Sequence, residues 1–228
     1  MHEGKKDTFF ALTGLKGLFI WFIIYFHTAP KTPFFSAIPG NEFLTLYGGT
    51  LGNSMFFVLS GFLLSWGYRK RIRERTVSFP DYLGRRLAKL YPPYFISTIV
   101  MILLNVLEYG LSAINLKMVV FDLLLQSGGG LVASSPYNGP GWFLSALFVC
   151  YLVYYLIAYH TRHSTAYRCA IGLGIAWGYI LICGNWTLPF CFSQNGKAFM
   201  NFFVGCALTE IYPYFARLKR GGCGWQHF

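Results

Sequence analysis

The sequence predicts an all-α fold, a polytopic bundle of about six transmembrane helices forming one domain over residues 1–228. Three observations predict it. Of 228 residues, 55% are hydrophobic and 20% aromatic, while only 12% are charged, about half the charged share of a soluble domain. A water-soluble core of this size cannot hide so much apolar side chain, and a disordered chain would be rich in charge and poor in aromatics. Apolar stretches of the ~20 residues that a bilayer crossing needs recur along the chain. The cations also cluster: eight of nineteen Lys and Arg fall between Arg69 and Lys89, against Glu74 and Asp81. Such clusters mark cytoplasmic loops. The net charge of +11 therefore reports topology first, where in a soluble chain it would suggest nucleic acid. The expected partner is a lipid bilayer, and no nucleic acid.

The first span covers residues 9–28, after Lys5 and Lys6. It is too long for a signal peptide, contains Lys16, and ends in His27-Thr28-Ala29-Pro30 instead of a small-residue cleavage site. The second covers 44–68. The third covers 91–107 and is opened by Pro92-Pro93, which suits a helix start. Residues 142–159, 169–185 and 199–215 supply three more, the last carrying Glu210.

Between the third and fourth spans, residues 116–132 are interrupted by Asp122 and followed by Gly128-Gly129-Gly130. Charge decides their place. If 110–140 forms an outer-face or re-entrant segment, then Arg162, Arg168, Arg217, Lys219 and Arg220 share a side with Arg69–Lys89 and the N-terminus. Every loop then obeys the positive-inside rule, and both termini are cytoplasmic. The six cysteines form no CxxC or Cys/His cluster, so they suit small apolar roles and no metal is expected. The glycines at 128–130 lack a Walker lysine, and Asn185-Trp186-Thr187 is a glycosylation sequon only in a secretory host.

Ionisable groups inside a span cost roughly 2.5–3.5 kcal/mol at the bilayer centre and mark function by default. Lys16 and His27 are eleven residues apart, about three turns and roughly 16 Å, on one helix face. Two readings stand: Lys16 snorkels while His27 sits in the outer interface, or the pair lines a cavity with an anion-binding cation inside and a base outside. In the basic loop, a topogenic role suffices for Arg69 to Arg75. Arg85, Arg86 and Lys89 adjoin the third span, and Arg86 and Lys89 share a face if helical. They are candidates for phosphate recognition. Ser60-Gly61 lacks the first glycine of a nucleophile elbow and suits close helix packing.

Four segments together resemble the acyltransferase-3 family of integral membrane O-acyltransferases. They are Lys16 with His27 after ten intervening residues; Phe56-Phe57-Val58-Leu59-Ser60-Gly61-Phe62-Leu63-Leu64; Arg85-Arg86-Leu87-Ala88-Lys89-Leu90-Tyr91-Pro92-Pro93; and Gly141-Trp142-Phe143-Leu144-Ser145. They occur in the family's order over residues 8–160. The resemblance implies an acyltransferase acting on groups other than aminoacyl groups, in a bacterial inner membrane. It would move an acyl group, typically acetyl, from acetyl-CoA or another acyl-CoA to a hydroxyl of a cell-surface carbohydrate.

The resemblance further implies that His27 is catalytic, with Lys16, and that Arg85, Arg86 and Lys89 hold the donor. Imidazole suits the task because it takes and returns a proton near neutral pH. The chain departs from the family pattern in carrying lysines at 16 and 89 where arginines are usual, and Leu147 and Phe148 where many members have glutamates. Six spans against the family's usual ten make the chain resemble the N-terminal part of the domain. The alternative to an enzyme is an inactive truncated membrane protein, or an assembly or transport partner in surface polysaccharide export.

Overall fold

The structure, a computed structural model, describes residues 3–29, 32, 34, 41–134, 136–184 and 186–221. Asn185 of the sequon and the ending at 222–228, with Cys223, lie outside the described residues. So do the side chains of Lys5, Lys6, Arg217, Lys219 and Arg220. The described residues form α1 (Glu3–Thr28), α2 (Glu42–Arg73), α3 (Phe79–Tyr109), α4 (Leu116–Leu123), α5 (Trp142–His160), α6 (Ser164–Gly184) and α7 (Ser193–Gly221). Single 3-10 turns stand at Leu111–Ala113 and Gly139–Gly141. No strand occurs among the described residues beyond an isolated bridge between Ser127 and Val132, so the all-α expectation holds. Three helical stretches, α3, Gly139–His160 and α6, are long and apolar enough to cross a membrane by length and composition.

The third helix corrects the sequence reading. It begins at Phe79, twelve residues before the expected start, and carries Pro92 and Pro93 in its interior. Ser78 caps it, accepting from the Asp81 amide at 3.2 Å and donating to the Asp81 carboxylate at 2.7 Å, with Pro80 in the first turn. These are strong start signals, and they place Arg85, Arg86 and Lys89 on the helix itself. The prolines remove the N–H groups that would have bonded the Ala88 and Lys89 carbonyls.

The long helices alternate in direction. At one end, Arg75 lies over the Tyr159 ring at 5.0 Å and Phe79 meets Tyr155. The C-terminal end of α2, the start of α3 and the end of α5 therefore lie together. Arg69 and Arg168 both bond Glu210 there, adding the start of α6 and the second half of α7. At the other end, the last turns of α1 meet the start of α2, and Asn195 at the start of α7 donates to the Gly129 carbonyl at 2.7 Å.

α5 and α7 supply most of the core, through Ala146, Cys150, Tyr154, Phe202, Phe203 and Cys206, all fully buried. Missing side chains let the backbones close up. A Cβ on Gly61 would strike the Phe202 carbonyl and one on Gly205 the Val58 carbonyl, so α2 and α7 touch backbone to backbone. That is the small-residue seam expected where apolar lipid gives helices no hydrophobic reason to associate. It also accounts for the Ser60-Gly61 pair.

The segment between α3 and α5 folds back along α3. α4 has eight residues, about 12 Å of helix, too short to cross. Its end is tied to the middle of α3: Tyr91 donates to the Leu123 carbonyl at 2.9 Å, and Tyr94 to the Asp122 carbonyl at 2.6 Å. Tyr94 precedes Tyr109 by fifteen residues, so the segment folds back about 22 Å along α3. Ser145 clamps the Leu125 carbonyl, and Asn138 donates to Thr98 at 2.8 Å.

Candidate active site

His27 lies in the last turn of α1 with an exposed side chain. Its neighbour Phe26 is held by α2: a Cβ on Gly49 would come within 2.6 Å of the Phe26 ring, and one on Gly48 within 3.1 Å of the Phe22 carbonyl. The Phe26 ring in turn meets the His27 ring edge to face, 5.1 Å between centroids. The glycine pair on α2 thus fixes the turn that presents the imidazole.

Lys16, three turns back, is half-buried. Arg85 and Lys89 are exposed, whereas Arg86 turns into the bundle.

Arg86 has tyrosines for neighbours. Its guanidinium stands 4.5 Å over the Tyr68 ring and 6.0 Å from the Tyr151 ring. Tyr82, fully buried, meets Tyr68 edge to face and donates to the Tyr151 carbonyl at 3.0 Å. The electron-rich faces stabilise the cation without neutralising it. Its Nε is buried and makes no hydrogen bond within the structure, an arrangement that costs stability unless something else accepts the bond.

Arg86 borders a tight cavity of about 10 Å³ walled by Leu87, Leu90, Tyr91, Leu125, Leu144, Phe148 and Tyr151. No carboxylate lines it. Phe148, at a position where the resemblance leads one to look for a glutamate, is part of its wall. A neighbouring open groove of about 360 Å³ shares Leu87, Tyr91, Leu125 and Phe148 and is also lined by Ala88 and Pro92. The Ala88 carbonyl has no i+4 donor, because Pro92 carries no N–H.

The structure adds residues that sequence reasoning passed over. Tyr68, Tyr82 and Tyr151 come from three helices, and nothing in their spacing announces a cluster. Arg69, assigned a purely topogenic role above, is instead partly buried, ion-paired with Glu210 and 3.8 Å over the Tyr167 ring. An acid in an otherwise apolar stretch, Glu210, was the available signal that a cation had to meet it.

A family model described as an acyltransferase domain matches residues 9–221. The chain belongs to the acyltransferase-3 family. It is 29% identical over 195 residues to a protein named acyltransferase MdmB from Streptomyces mycarofaciens, covering 81% of this chain and 46% of that one. Over 101 residues it is 31% identical to protein 2 in the picA locus of Rhizobium radiobacter, covering 44% and 48% respectively. The chain thus matches about half the length of these relatives. No solved structure gives a significant match. Family membership accounts for the order of the four motifs, and the apolar helices agree with an integral membrane protein.

Proposed function

We propose that the chain forms the donor side of a membrane O-acyltransferase. It spans the membrane six times with both termini in the cytoplasm of a bacterial cell, and takes an acyl group from acetyl-CoA or a related acyl-CoA to a carbohydrate hydroxyl. One observation carries this reading. Arg86 carries a buried Nε with no hydrogen-bond partner among the described residues, one turn from Lys89 on the same helix. Cations one turn apart, with a donor left over, suit a bound polyanion, and a guanidinium fork suits phosphate oxygens.

The rest follows the shape of the donor. The CoA phosphates would sit at Lys89, Arg85 and Arg86. The amide-bearing arm suits the groove where the Ala88 carbonyl lacks its helical partner. The thioester would extend toward His27, roughly 16 Å along α1 from Lys16. There the imidazole accepts the proton of the acceptor hydroxyl as its oxygen attacks the thioester carbonyl. Collapse of the tetrahedral adduct breaks the C–S bond, and the imidazolium returns the proton to the leaving thiolate, giving the ester and free CoA.

Purified protein in nanodiscs, supplied with acetyl-CoA and a panel of cell-surface polysaccharides, should release free thiol. His27→Ala should lower that release by at least about a hundredfold while CoA binding persists. Equal turnover by His27→Ala would overturn the mechanism. CoA binding without transfer by the wild-type chain would favour the assembly-partner reading.

A further inference from the structure

A second cationic site stands where α2, α6 and α7 meet. Glu210 on α7 is bonded by two guanidiniums, Arg69 of α2 and Arg168 of α6. One carboxylate between two cations leaves a net positive charge. Arg69 is taken up by Glu210 and the Tyr167 ring. Arg168 uses its Nε, at 2.9 Å, and its side chain is 55% exposed, so its two terminal nitrogens remain for an incoming oxyanion.

Arg168 and Glu210 stand at one end of an open groove of about 300 Å³ between α6 and α7. Ile171, Gly172, Ile175 and Ile211 continue it. From Arg168 to Ile175 the groove follows α6 for about 10 Å. A Cβ on Gly172 would meet nothing within 4 Å, so the groove is open space there. α6 is also long and apolar enough to cross a membrane, the setting in which such a groove would meet lipid.

We propose that this groove binds an anionic phospholipid, with the phosphate on Arg168 and an acyl chain along Ile171, Gly172 and Ile175. Charge complementarity selects the anionic headgroup, since a zwitterionic one adds a cation beside the arginines. The apolar continuation selects an amphiphile over a soluble anion.

Native mass spectrometry and thermal melting of the whole chain would test it, with phosphatidylglycerol set against phosphatidylcholine of the same chains. The wild type should retain phosphatidylglycerol preferentially. Arg168→Ala should weaken that retention about tenfold and Arg168→Lys less. Gly172→Phe should weaken it with no loss of intrinsic melting temperature, because the new ring enters vacant space. Arg71→Ala, which removes an exposed cation elsewhere on this end, should change nothing. Unaltered retention in both Arg168→Ala and Gly172→Phe would overturn the proposal. So would full displacement of the lipid by inorganic phosphate, which would mark a plain anion site.

Discussion

Arg86 combines three properties that a merely structural arginine would not keep together: partial burial, a tyrosine face, and an Nε with no acceptor. Replacing it by methionine loses the ring contact but also removes an unsatisfied buried donor. The two effects oppose each other, so Arg86→Met should change stability by no more than about 1 kcal/mol. The same variant should raise the KM for acyl-CoA about a hundredfold. Arg86→Lys keeps the charge without the planar fork and should raise it about tenfold, with kcat little altered in either case. Melting temperature and donor saturation curves measured on the same preparations separate these outcomes. At His27 the expected split is reversed. Gly49→Ala would push a Cβ into the Phe26 ring and tilt the neighbouring imidazole, lowering kcat about tenfold with donor KM unchanged. The cations at 16, 86 and 89 were legible in the sequence because charge is costly in an apolar setting. The tyrosines around Arg86 were not, since an aromatic in a chain that is 20% aromatic carries no signal until the helices are packed.

Elements were legible where hydrophobicity alone decides and illegible where local chemistry competes with it. The start of α3 is the clearest case. Ser78 with Asp81 three residues on is a capping signature, yet the proline pair at 92–93 offered a second start inside the apolar run. The cap prevails because the Ser78 hydroxyl satisfies the Asp81 amide in the first turn, whereas prolines in a helix interior only remove donors. The segment that folds back along α3 has no periodic pattern of its own. It is held by polar groups of other elements: the Tyr91 and Tyr94 hydroxyls, Ser145, and Asn195. Asn195 is fully buried, and its amide reaches Gly129 from the far side of the sequence. Asn195→Ala should cost about 1–3 kcal/mol by leaving that carbonyl unpaired. Hydrogen exchange should quicken at residues 126–132 before it does in α5 or α7, and uniform quickening would show that the segment has no separate anchor. The α2–α7 seam is less forgiving. Gly61→Ala must move two backbones apart, since the obstacle is the Phe202 carbonyl and not a pliable side chain, so its melting temperature should fall further than that of Asn195→Ala.

The charge distribution over the whole bundle gives it a direction. Arg69, Arg71, Arg73 and Arg75 at the end of α2, Arg85 near the start of α3, Arg162 between α5 and α6, and Arg168 in the first turns of α6 all lie at one end. At the other end the described cations are Lys117 and Lys197, offset by Glu42 and Glu108. Such asymmetry in short loops sets orientation during insertion and favours the arginine-rich end in the cytoplasm. In that proposed orientation the start of α3, with the proposed phosphate contacts, would lie where a CoA thioester is found, and the His27 end of α1 would face outward. Helix α6 offers a direct check, because Ser164 and Cys183 stand at its two ends and both are exposed. With Cys169, Cys191 and Cys223 changed to serine, since Cys169 is also exposed on α6, a membrane-impermeant maleimide should label Cys183 in intact cells. A cysteine introduced by Ser164→Cys, in a background also carrying Cys183→Ser, should react only after permeabilisation. The reverse pattern would invert the bundle and put Arg86 on the wrong side for a cytoplasmic donor. Labelling of both positions from one side would mean that α6 does not cross. The α6–α7 lipid groove would then lose its setting, while the site around Arg86, built on α2, α3 and α5, would be untouched.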